Sequence, residues 1–255
     1  MRTLIKLGGT LLDTPEVRDR LACEIARLAA SGREVVVVHG GGRQMTQYLA
    51  ERGVESQFVN GLRVTGPETL DAVVKVLAGS VNRELVAALV RAGARAVGLS
   101  GIDANMVEAE QMDPSLGAVG RVVSAHPELV DLLLANGYLP VVACVAGDRQ
   151  GRMYNVNADQ MAVACATGFG ARQLLFLTDV DGVLDATGSV RPVLSLAESE
   201  RLIADGVAKG GMRAKLDAAG RALRDGVREI RIAPGAQAGI IERLIAGESV
   251  GTVLQ

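Results

Sequence analysis

Short, continuous runs of Val, Ile and Leu recur along this chain, and most are followed by a stretch with helical spacing. Strand-length runs fall at 3–7, 34–39, 95–99, 139–143, 172–177, 229–232 and 250–254. Helical patterns fall at 16–31, 42–53, 67–91, 126–136, 157–168, 197–205, 212–225 and 238–246. A run that is apolar throughout, rather than alternating, suits a strand covered on both faces. The pattern therefore predicts βαβ repetition around a mostly parallel sheet, an α/β fold. Pro67 and Asn157 read as helix starts, and Gly32, Gly137 and Gly226 as helix stops. Residues 100–124 break the rhythm, where Gly101, Asp103, Asp113, Pro114 and Gly117 punctuate short alternating pieces and predict a β-hairpin excursion. No Ser/Gly-rich linker, low-complexity tract or repeat divides the chain. Residues 1–255 thus read as one domain of two lobes sharing a sheet, about 1–170 and about 171–255, with a soft boundary near 150–180.

Composition narrows the function classes. Aromatic residues make up only 2% of the chain, so its core must come from Val, Leu, Ile and Ala. The net charge is −2 and no long basic run occurs, which argues against nucleic acid as a partner. Cys23, Cys144 and Cys165 lie far apart in apolar surroundings and read as buried, reduced thiols. With no CxxC and only His39 and His126, a structural zinc site is not expected. No signal peptide and no bilayer-length apolar run is visible, so a soluble, cytoplasmic protein without a membrane partner is expected.

Two strand ends carry glycines. Lys6-Leu7-Gly8-Gly9-Thr10 closes the first strand, and His39-Gly40-Gly41-Gly42 closes the second just before a helix. Glycines there let backbone N–H groups approach an anion, a helix start adds favourable polarity, and Lys6 adds charge. Two such loops on neighbouring strands would hold one phosphoryl group between two bound molecules. The order of residues is not that of a Walker A loop, whose lysine follows its glycines. His39 itself reads as structural.

Further along, Arg63 in Asn60-Gly61-Leu62-Arg63-Val64-Thr65 has the planar fork that grips a carboxylate. In Asn155-Val156-Asn157-Ala158-Asp159, an extended backbone would put the two asparagines and the aspartate on one side. Asn157 would cap the following helix, and Asp159 would pair with lysines. Thr178-Asp179-Val180-Asp181-Gly182-Val183 follows a strand, at the end where open α/β sheets bind ligands. Lys209-Gly210-Gly211-Met212 opens a helix in which Lys215 would face a phosphate at the helix start.

These pieces, in this order, resemble the amino acid kinase family over essentially the whole chain: KLGGTLLD at 6–13, VHGGG at 38–42, NGLRVT at 60–65, YNVNAD at 154–159, LTDVDGVL at 177–184 and GGMRAKL at 210–216. The resemblance implies a three-layer αβα sandwich with an open, mainly parallel eight-stranded central sheet. It implies an N-terminal lobe for an acyl amino acid and a C-terminal lobe for ATP, with Mg²⁺ as the metal partner of ATP and no dedicated protein metal site. The reaction implied is phosphorylation of the γ-carboxylate of N-acetyl-L-glutamate, the second step of arginine biosynthesis. Carried over by motif, Lys6 and Lys215 would stabilise the transferring phosphoryl group and Asp159 would organise both. Gly8, Gly9, Gly41 and Gly42 would donate N–H groups. Arg63 and Asn155, with Asn157, would hold the substrate. Thr178, Asp179, Val180, Asp181, Gly182 and Val183, with Lys209, Gly210 and Met212, would line the nucleotide site.

Two features depart from the family pattern. Ile102-Asp103-Ala104-Asn105 stands where many relatives carry a lysine and paired glycines, and Gly66 follows Thr65 where relatives often carry an acidic or other residue. The chain starts two residues before its first strand, whereas arginine-inhibited relatives carry an extra N-terminal helix, so a homodimer insensitive to arginine is expected. Competing readings are a sister kinase for N-succinylglutamate or for glutamate or aminoadipate on a carrier protein, and a non-catalytic nucleotide-binding regulatory protein. A dehydrogenase would need a spaced glycine fingerprint that is absent.

Overall fold

All seven strand-length runs enter one sheet, and the first of them becomes its centre. The structure is a computed structural model describing residues 1–255. From the N-terminus, β1 (Arg2–Leu7) leads through the short α1 (Gly9–Leu12) and α2 (Pro15–Ala30) to β2 (Glu34–His39) and α3 (Gly42–Ala50). A small hairpin, β3 (Phe58–Val59) and β4 (Leu62–Arg63), precedes a long helical stretch made of α4 (Pro67–Val73), a π-helical segment over Val74–Val81 and α5 (Asn82–Arg91). Then come β5 (Ala96–Ser100), β6 (Val107–Gln111), β7 (Val119–Ala125), α6 (Glu128–Ala135), β8 (Leu139–Ala143), β9 (Val145–Gly147) and β10 (Met153–Val156). The rest is α7 (Ala158–Gly168), β11 (Gln173–Thr178), β12 (Val193–Leu194), α8 (Leu196–Ala204), α9 (Gly210–Arg224), β13 (Glu229–Pro234), α10 (Ile240–Ile245) and β14 (Thr252–Leu254).

The sheet has eight strands in the order β12-β14-β13-β11-β1-β2-β8-β5. Every neighbouring pair is parallel except β13 with β14. Side chains alternate between two cores. Leu4, Val36, Val38, Val142, Leu174 and Phe176 face one, while Ile5, Leu7, Val35, Val37, Val141, Leu175 and Leu177 face the other. Helices cover both faces, so the architecture is the three-layer α/β sandwich with an open, mainly parallel sheet that the resemblance implied. The excursion predicted at 100–124 is the antiparallel pair β6–β7, which closes on β9 and β10 as a small four-stranded barrel. Ile102-Asp103-Ala104-Asn105 is a turn at its entrance, where the Asp103 carboxylate accepts from the Ser100 N–H at 2.6 Å.

One expectation about composition needs correction. Cys144 and Cys165 are buried, but Cys23 is exposed, because that position of α2 faces away from the sheet. No helix is long and apolar enough to cross a membrane.

A buried carboxylate ties the two ends of the chain together. Glu24 on α2 is 1% exposed and accepts from Gly239 N–H at 2.8 Å and Ile241 N–H at 3.0 Å, capping α10 from 215 residues away in sequence. Charge-assisted bonds of this kind contribute about 1.5–3 kcal/mol each, and an uncapped helix start keeps its donors unpaired. Glu24→Ala is expected to lower unfolding free energy by about 3 kcal/mol. Urea denaturation checks this, and the folded fraction should keep its activity, since Glu24 lies on the helical layer away from the glycine loops.

Candidate active site

β1 places Lys6 on the face shared with Leu4, beside Phe176 and Val38 of the neighbouring strands. On that face α7 crosses β1, and its first turn carries Asp159. α9 packs against α7 and brings Lys215 to the same point. Lys6 Nζ lies 2.8 Å from Asp159 Oδ1, and Lys215 Nζ 2.9 Å from Asp159 Oδ2. Both lysines are buried, at 7% and 6% exposed. The Lys215 ammonium also sits over the Phe176 ring, 5.0 Å from its centroid.

The electrostatics of this trio follow from its geometry. Burial alone would raise the Asp159 pKa, but Lys6 and Lys215 outweigh it and hold the carboxyl below its ordinary value. Burial and the neighbouring Lys6 press the Lys215 pKa below the usual lysine value, against the pull of Asp159 and the more distant Asp179. One carboxylate thus serves two cations, and the trio carries a net positive charge in a largely dry setting.

Beside it lies a cavity of about 180 Å³ walled by Gly40, Gly41 and Gly42, by Arg63, and by Asn155, Asn157 and Ala158, with Met45, Phe58, Leu62, Val73 and Leu77 supplying apolar lining. Arg63 is 8% exposed, and burial presses its pKa down with no carboxylate of the chain to offset the cost. Its fork is steered by Gly42 O and Thr46 Oγ1, both at 2.9 Å from Nη2, by Ser56 Oγ at Nη1, and by the Phe58 ring. A guanidinium stays protonated at any physiological pH. A cation held in a cavity without a counter-ion is a site for an anionic ligand group. Asn155 donates from Nδ2 to Thr65 Oγ1 at 3.1 Å, and Thr65 in turn donates to Arg63 O at 2.7 Å. Thr65, Thr46 and Ser56 were not singled out from the sequence. Thr65 at least lay inside the NGLRVT run, but nothing local marks Thr46 or Ser56.

The glycine loops meet closely. A Cβ on Gly9 would stand 3.1 Å from Gly41 N and 3.2 Å from Gly42 N. The four predicted donors are not equivalent. The Gly8 N–H is spent on Leu177 O at 2.9 Å and the Gly40 N–H on Leu7 O at 3.2 Å, so Gly8 shapes the loop rather than donating to a ligand. The N–H groups of Gly9, Gly41 and Gly42 remain for an anion. Gly9→Ala puts a methyl between these donors, against backbone that cannot swing away. It is expected to lower kcat by about 10- to 100-fold, the scale set by misplacing a donor, together with some loss of melting temperature from the crowded backbone. Steady-state kinetics beside a thermal melt would check it.

Two further expectations shift in detail. The run 155–159 is not extended throughout, since β10 ends at Val156 and Asp159 lies in the first turn of α7. Asn157 caps that helix, its Oδ1 accepting from Asp159 N–H at 3.0 Å and Gln160 N–H at 3.2 Å, which leaves only its Nδ2 for a ligand. On the other side, Val183 is fully buried, with its N–H on Thr252 Oγ1 and its C=O accepting from Arg191 N–H, so it supports the loop and has no free polar group for a nucleotide. Thr178 is buried and donates to Asp179 Oδ1 at 3.1 Å, while Asp179, Val180 and Asp181 are exposed at the end of β11 and Gly182 is buried. Lys209 and Gly210 are exposed at the start of α9, with Gly210 at φ +51°, and Met212 packs on the core. Asp181 lines a separate open cleft with Pro234 and Ser249, and Lys209, Gly210 and Met212 line neither cavity.

The model of the amino acid kinase family matches residues 1–234. This chain belongs to the amino acid kinase family. It is 67% identical to an acetylglutamate kinase of Solibacter usitatus (strain Ellin6076) over 252 residues, covering 99% of this chain and 98% of that one. It is 42% identical to the acetylglutamate kinase of Koribacter versatilis (strain Ellin345) over 240 residues, covering 93% and 92%. Among solved structures, it is similar to N-acetylglutamate synthase from Neisseria gonorrhoeae complexed with coenzyme A and N-acetyl-glutamate, with a TM-score of 0.88 and 25% identity. That match covers 99% of this chain, which spans only 59% of the synthase chain.

Proposed function

We propose that this protein transfers the γ-phosphoryl group of ATP to the γ-carboxylate of N-acetyl-L-glutamate, as in the second step of arginine biosynthesis. The observation that carries the reading is the adjacency of two sites: a cavity holding the uncompensated Arg63 cation, and the Lys6–Asp159–Lys215 trio beside it. Arg63 and Asn155 would take the substrate's α-carboxylate, and the apolar lining would take its acetyl methyl and methylenes. The γ-carboxylate would then lie against Gly9, Gly41 and Gly42.

A carboxylate is already ionised at neutral pH, so its attack on phosphorus needs no general base. What it needs is help in meeting another anion. Lys6 and Lys215, with the loop N–H groups, would meet the equatorial oxygens of the transferring group, where charge spreads in the transition state. Asp159, ion-paired with both ammonium groups, would hold them in place. The nucleotide would lie over the end of β11, along Thr178–Gly182 and the start of α9. Asp179 and Asp181 there suit Mg²⁺, which typically takes one or two carboxylates together with phosphate oxygens and waters. Its role when bound is to neutralise charge on the ATP phosphates.

The reading includes a cytoplasmic homodimer. In its support, β5 pairs only with β8 and leaves one sheet edge open for another chain. Light scattering at twice the 26.5 kDa chain mass is the expected result. The activity is tested by ADP release from Mg-ATP with N-acetyl-L-glutamate, trapping the acyl phosphate with hydroxylamine. N-succinyl-L-glutamate, glutamate and aspartate run beside it. Selective turnover of the acetylated substrate is expected; preference for another acceptor would move the reading to a sister kinase.

A further inference from the structure

His39 is fully buried at the end of β2, immediately before the glycine loop, and does not line the cavity that holds Arg63. Its two ring nitrogens have defined partners: Asn82 Nδ2 lies 2.9 Å from Nε2, and Nδ1 lies 2.9 Å from Gly40 O. The same Asn82 Nδ2 donates to Val141 O at 3.0 Å. A carbonyl can only accept, so the amide nitrogen must point this way, and its second hydrogen is directed at Nε2. Nε2 is therefore the unprotonated nitrogen, and the proton sits on Nδ1 and is donated to Gly40 O. Burial pulls the imidazole down to about 4, so the ring is neutral at physiological pH.

The consequence lies one peptide further on. The 40–41 peptide is trans, so the Gly41 N–H points opposite to the Gly40 C=O. Holding that carbonyl on the ring side turns the Gly41 N–H away from the ring, and the Gly41 nitrogen lies beside the loop of Gly9, 3.1 Å from that residue's Cβ position. We propose that the buried pair Asn82–His39 is a positioning relay that sets the Gly40–Gly41 peptide plane, and so aims the Gly41 N–H at the phosphoryl group.

Other features of the fold fit this assignment. Asn82 stands directly after the π-helical segment, whose Leu77 and Val81 press on Gly41 so closely that a Cβ there would be 2.6 Å from Leu77 Cδ2. The amide oxygen of Asn82, Oδ1, has no partner, and a Cβ at Gly98 would lie 2.1 Å from it. Gly98 thus makes room for a polar side chain that pays for its burial only through His39 and Val141. The inference rests on the kinase reading, because it gives the aimed N–H a phosphoryl group to meet.

The test compares two replacements of His39. Leucine keeps the bulk and removes the donor, whereas asparagine sets an amide N–H close to the place of Nδ1. His39→Leu is expected to lower kcat by about 10- to 100-fold, with the KM for ATP within about threefold and the melting temperature close to that of the parent. His39→Asn should recover kcat to within about threefold of the parent, which simple packing would not explain. A folded leucine variant with parental kcat, or an asparagine variant no better than leucine at equal stability, overturns the relay. Long-range ¹H–¹⁵N correlation on the unmodified protein at neutral pH gives an independent reading even if a variant does not fold: Nδ1–H is expected, and Nε2–H would overturn it. Failure of the unmodified enzyme on N-acetyl-L-glutamate would count against the kinase reading instead, leaving the tautomer result standing.

Discussion

Replacing either Lys6 or Lys215 with alanine is expected to lower kcat by at least about 100-fold while the protein stays folded. Losing one preorganised donor to developing charge typically costs about 2.7–4 kcal/mol of activation free energy, a factor of about 10²–10³. Both lysines meet the conditions for an effect of that size, being buried and fixed against one carboxylate at 2.8 and 2.9 Å. Low local polarity strengthens each of them, and because their positions are set before the reaction they need little reorganisation during it. The stability loss should be modest, since alanine removes a costly buried charge and Asp159 keeps its other partner. Arginine is not expected to rescue either position, as its planar fork does not fit a pocket shaped for a single ammonium. The double variant should fall only slightly below the worse single one, because the two lysines act on one phosphoryl group. Near-normal turnover in either single variant would remove that lysine from its role.

These lysines illustrate what the sequence makes legible. Lys6 is a charge inside a short apolar run, and a charge that a central strand carries despite its burial calls for a chemical reason. The seven main strands were readable because each is a short, mainly apolar run, and those at the centre of the sheet are buried on both faces. The eighth, Val193–Leu194, is two residues long and held by β14, so no run announces it. The hairpin at 58–63 was missed although its signal was present: Asn60 and Gly61 both adopt positive φ, at 50° and 80°, as a two-residue turn between paired strands demands. The long helix was placed at 67–91, but nothing in its periodicity told that residues 74–81 are π-helical. That segment packs against Gly41 and β5, which are distant in sequence. The site divides in the same way. Motif residues such as Arg63, Asn155 and Asp159 could be picked out because they stand in runs, NGLRVT and YNVNAD, that match the family pattern. Whether a given N–H is free, as for Gly9, or spent, as for Gly8, depends on which strand lies alongside. The partners of His39 and Arg63 are likewise supplied by the tertiary fold, from Asn82, Thr46 and Ser56.

Asp159→Asn should have the widest effect of any single change, because it acts on both lysines at once. The substitution keeps shape and removes one negative charge from between two cations. Breaking a buried ion pair by removing one partner costs about 3–5 kcal/mol, and the isosteric amide should place this variant at about 3. The sign of the pH dependence follows from the direction of the Asp159 shift. Its carboxyl is held below the ordinary value of 3.8, so its contribution to stability is present above that value and is lost as pH falls through the lower, folded one. The stability gap between parent and variant should therefore be open at neutral pH and close in acid, where the parent's own carboxyl is protonated. On the alkaline side the reasoning runs through Lys215. Burial and Lys6 already lower its pKa from 10.5, and Asp159 is the main opposing influence. Without that carboxylate Lys215 loses its proton at lower pH than in the parent, so the alkaline limb of kcat/KM, which reports the free enzyme, should move toward neutrality. Turnover at neutral pH should fall by at least about 100-fold, since both cations lose the carboxylate that fixes their positions. Denaturation and kcat/KM measured across pH separate these effects. An unshifted alkaline limb with unchanged stability would mean that Asp159 organises neither lysine.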